Sequence, residues 1–158
     1  MKHEEVLAAI RDVKDFPVEG IVFKDITTVL SNPEYLKWMK DEIVNLYRAY
    51  GITKVVGIES RGFILGPAVA MDLGAGFVPV RKQGKLPAET IEVSYAKEYG
   101  VDTIQIHADA LSEDDVVLLH DDLLATGGSM AAALELVRKF KVKKVYINFI
   151  IELDFLNG

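Results

Sequence analysis

The chain has 158 residues, 50% hydrophobic and 27% charged, which is typical of a globular protein and excludes a disordered or fibrous chain. Its formal net charge of −6 argues against a general nucleic-acid binder, because that affinity depends largely on Lys and Arg that neutralise phosphates. It has no cysteine and no apolar run near the ~20 residues that span a bilayer, so we expect a cytoplasmic protein without membrane contact. The length predicts a single domain over residues 1–158.

Two helices are predicted near the start of the chain. Apolar residues recur at helical spacing over residues 6–13, and this helix is expected to end before Pro17. A second helix is predicted over residues 33–50, where apolar side chains recur at the same spacing. Ser31 and Glu34 have the spacing of a capping box, which would begin this helix.

From residue 54 onward, short apolar runs alternate with helical stretches. Apolar runs without polar alternation indicate strands covered on both faces, as in a parallel sheet with crossover helices. The predicted strands are 54–58, 77–80, 116–119 and 144–151, and the predicted helices are 63–73 and 128–140. The sequence therefore predicts an α/β fold with an open, mostly parallel sheet and flanking helices.

Residues 81–107 interrupt this alternation. Ile91, Val93 and Tyr95 occupy alternate positions, as do Ile104 and Ile106, with glycines and charged residues around them. This pattern predicts a two-stranded ribbon with a mobile arm that stands apart from the main sheet.

The segment with the clearest chemical signal covers residues 116–129. An apolar strand leads to the adjacent carboxylates Asp121 and Asp122, and a Thr-Gly-Gly-Ser turn then begins a helix. Successive amides at a helix N-terminus form an anion site, to which the Thr126 and Ser129 hydroxyls would add donors. Two adjacent carboxylates repel each other unless hydrogen-bond donors or a cation lie nearby. A phosphorylated ribose with a magnesium ion would satisfy both groups.

This order of strand, acidic pair and Ala-Thr-Gly-Gly-Ser resembles the diphosphoribose-binding motif of the type I phosphoribosyltransferases. The resemblance covers nearly the whole chain and implies that family's fold, with an N-terminal hood over about residues 1–30 and a flexible arm over about 81–107. It implies that Asp121 and Asp122 hold the ribose hydroxyls. It also implies a 5-phosphate cradle formed by Ala125, Thr126, Gly127, Gly128 and Ser129. Family members commonly continue for about another strand beyond residue 152.

Two further segments resemble the family's diphosphate-binding parts. Residues 57–63 resemble its diphosphate loop, which often contains a cis peptide, and this implies that Ser60 and Arg61 hold the leaving group. Residues 81–87 match the family pattern Arg-Lys-x-Gly-Lys-Leu-Pro, which implies the same role for Arg81, Lys82 and Lys85. Three cations within five residues of an acidic chain suit a polyanion.

The substrate expected from the resemblance is adenine. Family members that use hypoxanthine or guanine carry an Asp where Ala125 stands, whereas Leu-Leu-Ala-Thr-Gly-Gly resembles members that act on adenine. Residues 16–27 resemble the hood segment that encloses the base, which implies adenine contacts for Val22 and Lys24. Leu123 is also expected to contact adenine. The implied reaction is a purine-salvage step in which phosphoribosyl diphosphate and adenine give AMP and diphosphate.

The resemblance also implies the remaining chemistry. Glu98, in the arm sequence Glu-Tyr-Gly, would exchange a proton with adenine N7, and Tyr99 would position the substrates. Magnesium is expected mainly through substrate oxygens and water, without confident protein ligands. A homodimer is implied as well.

Two alternatives remain open at this point. One is a phosphoribosyltransferase for xanthine or another purine. The other is a non-catalytic regulator that senses phosphoribosyl diphosphate, although such a protein should carry a nucleic-acid-binding domain or a basic surface. Of the histidines, His120 is expected to be a strand-end side chain with a satisfied hydrogen bond rather than a metal ligand.

Overall fold

The computed structural model describes residues 2–16, 18–97, 100–124 and 128–152. Its contacts divide the chain into two compact units, Met1–Glu42 and Ile43–Gly158. The single domain inferred from the chain length stays a prediction. Among the described residues, every helix is too short or too polar to span a bilayer.

The first unit is built from short elements around one small antiparallel sheet. Its helices and strands are α1 (Lys2–Ala9), β1 (Arg11–Lys14), β2 (Val22–Asp25), α2 (Thr27–Leu30) and the start of α3 (Pro33–Tyr47). The predicted first helix is therefore wrong beyond Ala9. Val13 lies in β1 opposite Phe23 of β2, a long-range pairing that local apolar spacing does not reveal.

The predicted helix over residues 33–50 is confirmed as α3 followed by a 3₁₀ turn, Arg48–Tyr50. Gly51 ends it in the left-handed conformation, with φ of 68°. The predicted capping box is wrong, because the side chain of Asn32 caps the helix instead. Its Oδ1 accepts the N–H groups of Glu34 at 3.0 Å and Tyr35 at 3.3 Å.

The second unit contains a six-stranded sheet with the order β5-β6-β4-β3-β7-β8. Strands β4, β3, β7 and β8 are parallel, as the apolar runs predict. Its strands are β3 (Lys54–Ile58), β4 (Gly76–Lys82), β5 (Thr90–Lys97), β6 (Gly100–His107), β7 (Val116–Leu124) and β8 (Lys144–Glu152), and its further helices are α4 (Gly62–Leu73) and α5 (Gly128–Arg138).

Both faces of the central strands are covered. Val55 and Val56 are consecutive in β3 and both fully buried, so each face of the sheet has a core. Helix α4 packs on β3, β4 and β7, whereas α5 packs on β5, β6 and β7. The α/β fold class is confirmed, and these layers leave the carboxyl ends of the parallel strands for a binding site.

The predicted ribbon exists as the antiparallel pair β5 and β6, but it does not stand apart from the main sheet. Arg81 of β4 pairs with Gln105 of β6, and Lys82 pairs with Ile104. These pairs join the ribbon to the parallel strands, and β5 also packs on α5. The alternation of apolar residues predicted the two strands correctly, but it could not predict that β6 pairs with β4.

Candidate active site

A cavity of about 180 Å³ lies where β3, β4 and β7 approach their carboxyl ends. This is the edge at which open α/β sheets bind ligands. The structure brings together there five side chains that the sequence predicts as site residues, namely Arg61, Arg81, Lys82, Asp121 and Ser129.

The acidic pair lies within β7, and its two members have different surroundings. Asp121 lines the cavity, whereas Asp122 is buried with 3% of its surface exposed. Asp122 Oδ2 lies 3.1 Å from Nε of Arg61, so this carboxylate has a cationic partner. The N–H of Asp122 donates to Oδ1 of Asp121 at 2.8 Å. The pair therefore anchors Arg61 on one side and presents a carboxyl group to the cavity on the other.

Asp121 ionises with difficulty in the free protein. Partial burial, which disfavours the charged form, raises the pKa of Asp121 to about 7, and the negative charge of Asp122 acts in the same direction. The hydrogen bond from the Asp122 N–H and the charge of Arg61 oppose the rise in pKa. A ligand that donates hydrogen bonds or brings positive charge would therefore stabilise the ionised form of this carboxyl group.

The loop between β3 and α4 places Arg61 beside the acidic pair. Its Glu59–Ser60 peptide is cis, as the family resemblance implies. Gly57 permits the tight return of the chain, since a Cβ there would lie 2.7 Å from the carbonyl oxygen of Gly62. Ser60 is exposed in this loop, and its carbonyl accepts the N–H of Phe63. This geometry fixes the start of α4 against the carboxyl end of β3.

Residues 81–85, here called the cationic turn, converge on one carboxylate. Glu59 accepts hydrogen bonds from Arg81 Nε at 3.1 Å, from Lys85 Nζ at 2.6 Å and from the N–H of Lys82 at 3.0 Å. The Arg81 guanidinium also lies 6.0 Å from the ring centre of Phe63. Together with Arg61, which pairs with Asp122, three of the predicted diphosphate-binding cations are therefore paired with carboxylates in this structure.

Glu59 is held in its charged form by these contacts. Burial alone would raise the pKa of this carboxyl, but the hydrogen bonds from Lys85, the Lys82 N–H and Arg81 outweigh it, so the pKa lies below its ordinary value. No role is assigned to Glu59 from the sequence alone. The sequence feature that could have identified it is a carboxylate at the end of one predicted parallel strand, where the next predicted strand ends in cationic residues.

Tyr95 of β5 and Asp102 of β6 also line the cavity, and sequence reasoning did not assign either of them to the site. They are cross-strand partners, with Tyr95 Oη 3.5 Å from Asp102 Oδ2. Burial raises the pKa of Tyr95, with smaller contributions from Asp102 and Asp121. The ribbon alternation places Tyr95 on the face of the buried Val93 and Asp102 on the face of Ile104. That this face meets the cavity depends on the pairing of β6 with β4, which the alternation does not give.

The residues predicted to contact adenine fall in different places. Val22 and Lys24 lie on β2 of the first unit, where Val22 is exposed and Lys24 forms an ion pair with Asp12 at 2.5 Å. Leu123 lies in β7, paired in register with Ile151. Their assignment to the base stays a prediction.

Several predicted site residues lie outside the described residues. These are the proposed catalytic pair and the first part of the phosphate cradle: Glu98, Tyr99, Ala125, Thr126 and Gly127. Gly128 is the first residue of α5, and Ser129 follows it at the cavity. The two described cradle residues therefore lie at a helix N-terminus, as the sequence predicts.

His120 immediately precedes the acidic pair and is almost fully buried. Its Nδ1 lies 2.9 Å from Oδ1 of Asn148 on β8, which is one satisfied hydrogen bond. Its Nε2 is buried without a hydrogen-bond partner among the described residues, so the expectation of a satisfied side chain holds for one ring nitrogen only. Burial lowers the pKa of His120, which favours the neutral ring.

The described residues contain no group of three or more His, Asp or Glu side chains placed to hold a metal ion. Asp121 is nevertheless a suitable neighbour for a hydrated cation. Its carboxyl faces the cavity, and positive charge nearby would favour its ionised form.

Comparison with known proteins identifies a matching family and similar proteins. Residues 25–152 match the phosphoribosyl transferase domain family. An adenine phosphoribosyltransferase from Bacteroides fragilis is 63% identical over 158 residues, which cover 100% of this chain and 89% of the relative.

Two crystal structures of similar proteins extend the comparison to the fold. The enzyme from Giardia lamblia complexed with 9-deazaadenine has a TM-score of 0.95 and 46% identity, over 100% of this chain and 89% of that chain. The adenine phosphoribosyltransferase from Saccharomyces cerevisiae, complexed with an imino-altritol bisphosphate and adenine, has a TM-score of 0.93 and 42% identity, over 99% and 92% of the two chains.

The parallel sheet ends in an acidic pair, a loop with a cis peptide and a cationic turn, and the chain belongs to the phosphoribosyltransferase family. Within that family its place is among the adenine phosphoribosyltransferases. The family resemblance and the type I fold predicted from the sequence are confirmed.

Proposed function

We propose that this protein transfers the 5-phosphoribosyl group of phosphoribosyl diphosphate to adenine, giving AMP and diphosphate in purine salvage. The observation that carries the proposal is the cavity that joins Asp121, Arg61 and the cationic turn at one edge of the sheet. The ribose hydroxyls of the substrate need hydrogen-bond acceptors on one side of the site, and its diphosphate needs cations on the other side. The names of the similar proteins support the choice of adenine.

Ribose binding is proposed for the acidic pair. Asp121 faces the cavity, so its carboxylate would accept hydrogen bonds from the ribose hydroxyls. Asp122 is already paired with Arg61, so we propose that it orients this guanidinium and also approaches the ribose. The amides and hydroxyls of residues 125–129 would hold the 5-phosphate at the N-terminus of α5.

The leaving diphosphate is proposed to bind Ser60, Arg61, Arg81, Lys82 and Lys85. In the free protein, Glu59 forms ion pairs with both Arg81 and Lys85, which offsets part of their charge and keeps them near the cavity. A diphosphate carries more charge than one carboxylate, so it would compete for these cations while the Lys82 N–H still holds Glu59. As the bond between the anomeric carbon and diphosphate breaks, these cations would stabilise the departing negative charge.

Magnesium is proposed as the cofactor, held mainly by substrate oxygens and water. When bound, it would add positive charge next to the leaving diphosphate. Adenine N9 would form the new bond to the anomeric carbon, and Glu98 would exchange a proton with N7 while Tyr99 positions the substrates. Val22, Lys24 and Leu123 are proposed to enclose the base.

We also propose that the protein is a homodimer and is located in the cytoplasm. The family resemblance supports the homodimer, and the absence of cysteine in the chain is compatible with a reducing compartment.

The proposal is tested by supplying the protein with magnesium, phosphoribosyl diphosphate and each purine in turn, and by following nucleotide formation. AMP from adenine is the expected product. If nucleotide formed from hypoxanthine, guanine or xanthine but not from adenine, the substrate would be that purine and not adenine. Binding of the sugar diphosphate without any product would favour a non-catalytic sensor.

A further inference from the structure

Gln105 is a buried polar residue for which the proposed function has no role. It lies on β6 with 7% of its surface exposed. Buried amides are normally hydrogen-bonded at both ends, and this one is. Its Nε2 donates to Oε1 of Glu92 on β5 at 2.9 Å, and its Oε1 accepts the N–H of Gly84 at 3.1 Å.

Gly84 is the residue at which the cationic turn reverses direction. Its φ of 86° lies in the left-handed region that glycine readily adopts. Arg81 and Lys82, at the start of the turn, pair with β6, and the Gln83 N–H donates to the Thr103 carbonyl at 3.1 Å. Beyond Gln83, the backbone of the turn has a long internal hydrogen bond, from the Lys85 N–H to the Lys82 carbonyl at 3.4 Å. The Gln105 side chain therefore supplies the hydrogen bond that fixes the tip of the turn.

Gln105 is not among the residues that line the cavity, although Ile104, its neighbour in β6, and Arg81, its partner in register, are. Both ends of its side-chain amide are already bonded, to Glu92 and to the Gly84 N–H. A substrate in the cavity would therefore not touch Gln105. Any effect of this residue on the reaction has to pass through the turn.

We infer that Gln105 is a positioning residue that holds the cationic turn in the conformation that receives the diphosphate group. This inference rests on the proposed function, because it assigns the turn to that ligand. Gln105 fixes the backbone at Gly84, and this sets where Lys82 and Lys85 lie on either side of it. Removal of the tie would leave the cations present but less well placed, so substrate affinity would fall.

The test compares Gln105→Leu with the wild-type protein. Leu keeps the apolar contacts of the buried position but has no acceptor for the Gly84 N–H. Loss of one such hydrogen bond predicts a KM for phosphoribosyl diphosphate, and a Kd for inorganic diphosphate with magnesium, raised about tenfold. The KM for adenine and the kcat at saturating substrates should change less than about twofold, because the reacting groups stay in place.

A paired exchange and a matched control separate positioning from general damage to the ribbon. The double variant Gln105→Glu with Glu92→Gln keeps an acceptor for Gly84 and a donor across the strands, so it should recover wild-type KM. Ser94→Ala removes a different cross-strand contact of the ribbon, the 2.7 Å bond from Ser94 Oγ to Thr103 Oγ1, and should leave the KM unchanged.

Hydrogen exchange of the wild-type protein provides a measurement that does not depend on any variant. The Gly84 amide should exchange more slowly than in an unstructured peptide of the same sequence. Exchange at the unprotected rate would overturn the inference, as would a folded Gln105→Leu protein with wild-type affinity for diphosphate. Failure of the wild-type protein to form AMP would instead refute the proposed function, since the diphosphate titration needs no turnover.

Discussion

Asp121 and Asp122 are adjacent in sequence, yet their environments give them different chemistry. Asp122 has a cationic partner in Arg61, whereas Asp121 has a partly buried carboxyl whose pKa is raised to about 7 by burial and by the charge of Asp122. The sequence indicated that the pair needs donors or a cation nearby. It could not divide the two roles, because the division depends on which strand face each side chain takes and on where α4 begins.

The raised pKa predicts a pH dependence for substrate binding. The ionised carboxylate of Asp121 accepts hydrogen bonds from ribose hydroxyls more strongly than the neutral acid does, so affinity for phosphoribosyl diphosphate should rise as the pH rises through about 7. In Asp121→Asn this contribution is absent, and affinity at pH 8 should be about tenfold weaker. Calorimetric titration of both proteins from pH 6 to pH 8 measures the difference. Ionisation of the substrate is common to both, so parallel pH profiles would contradict the role given to Asp121.

At the scale of single elements, the parallel strands were predictable because their burial on both faces produces uninterrupted apolar runs. The end of α1, the helix cap at Asn32 and the attachment of the ribbon were not predictable. Each depends on a contact whose partner cannot be chosen from local spacing, such as the pairing of Arg81 with Gln105. The same limit explains why Tyr95 and Asp102 were recognised as cavity residues only in the structure.

The cap of α3 gives a direct comparison between sequence pattern and structure. Asn32→Ala removes the acceptor of two N–H groups at the helix start and should lower the free energy of unfolding by about 1 kcal/mol. Ser31→Ala, which the capping-box pattern would make equally harmful, should change it by less than about 0.5 kcal/mol. Chemical denaturation of both variants measures the two values. If Ser31→Ala lowered the free energy of unfolding more than Asn32→Ala, the capping box would be the correct description of this helix start.

The close approach between β3 and α4 predicts a second pair of effects. A Cβ at Gly57 would lie 2.7 Å from the Gly62 carbonyl oxygen and 2.8 Å from the Phe77 ring, so Gly57→Ala should cost about 2 kcal/mol of stability and displace Arg61. At Gly76 the nearest atom to an added Cβ is the flexible Lys54 side chain, at 3.2 Å, so Gly76→Ala should be within about 0.5 kcal/mol of wild type. Thermal unfolding and activity assays of the two variants measure these effects. Equal stability of both proteins would show that the loop tolerates a side chain at Gly57.

At the scale of the whole molecule, the site makes stability depend on pH. The folded-state pKa of Asp121 lies above its ordinary value of 3.8, so the folded protein binds more protons than the unfolded chain between about pH 4 and pH 7. Its contribution to stability is therefore present at low pH and is lost as the pH rises through about 7. Burial lowers the pKa of His120 from its ordinary value of 6.5, so its contribution has the opposite sign and is lost as the pH falls below about 6.5.

A comparison with Asp121→Asn isolates the first of these contributions, because both proteins contain His120. The variant should gain stability relative to wild type as the pH rises from 4.5 to about 8, where wild type carries the ionised carboxyl. Midpoints of thermal unfolding across this range give the difference between the two proteins. A difference that is constant with pH would mean that Asp121 ionises normally in the folded protein.

The most direct test of the account is a crystal structure of the protein with magnesium and phosphoribosyl diphosphate. We expect the ribose hydroxyls within hydrogen-bond distance of Asp121, the diphosphate against Arg61 and the cationic turn, and the 5-phosphate at the N-terminus of α5. A sugar diphosphate bound elsewhere, or bound in this cavity without contact to Asp121 or to any of these cations, would contradict it.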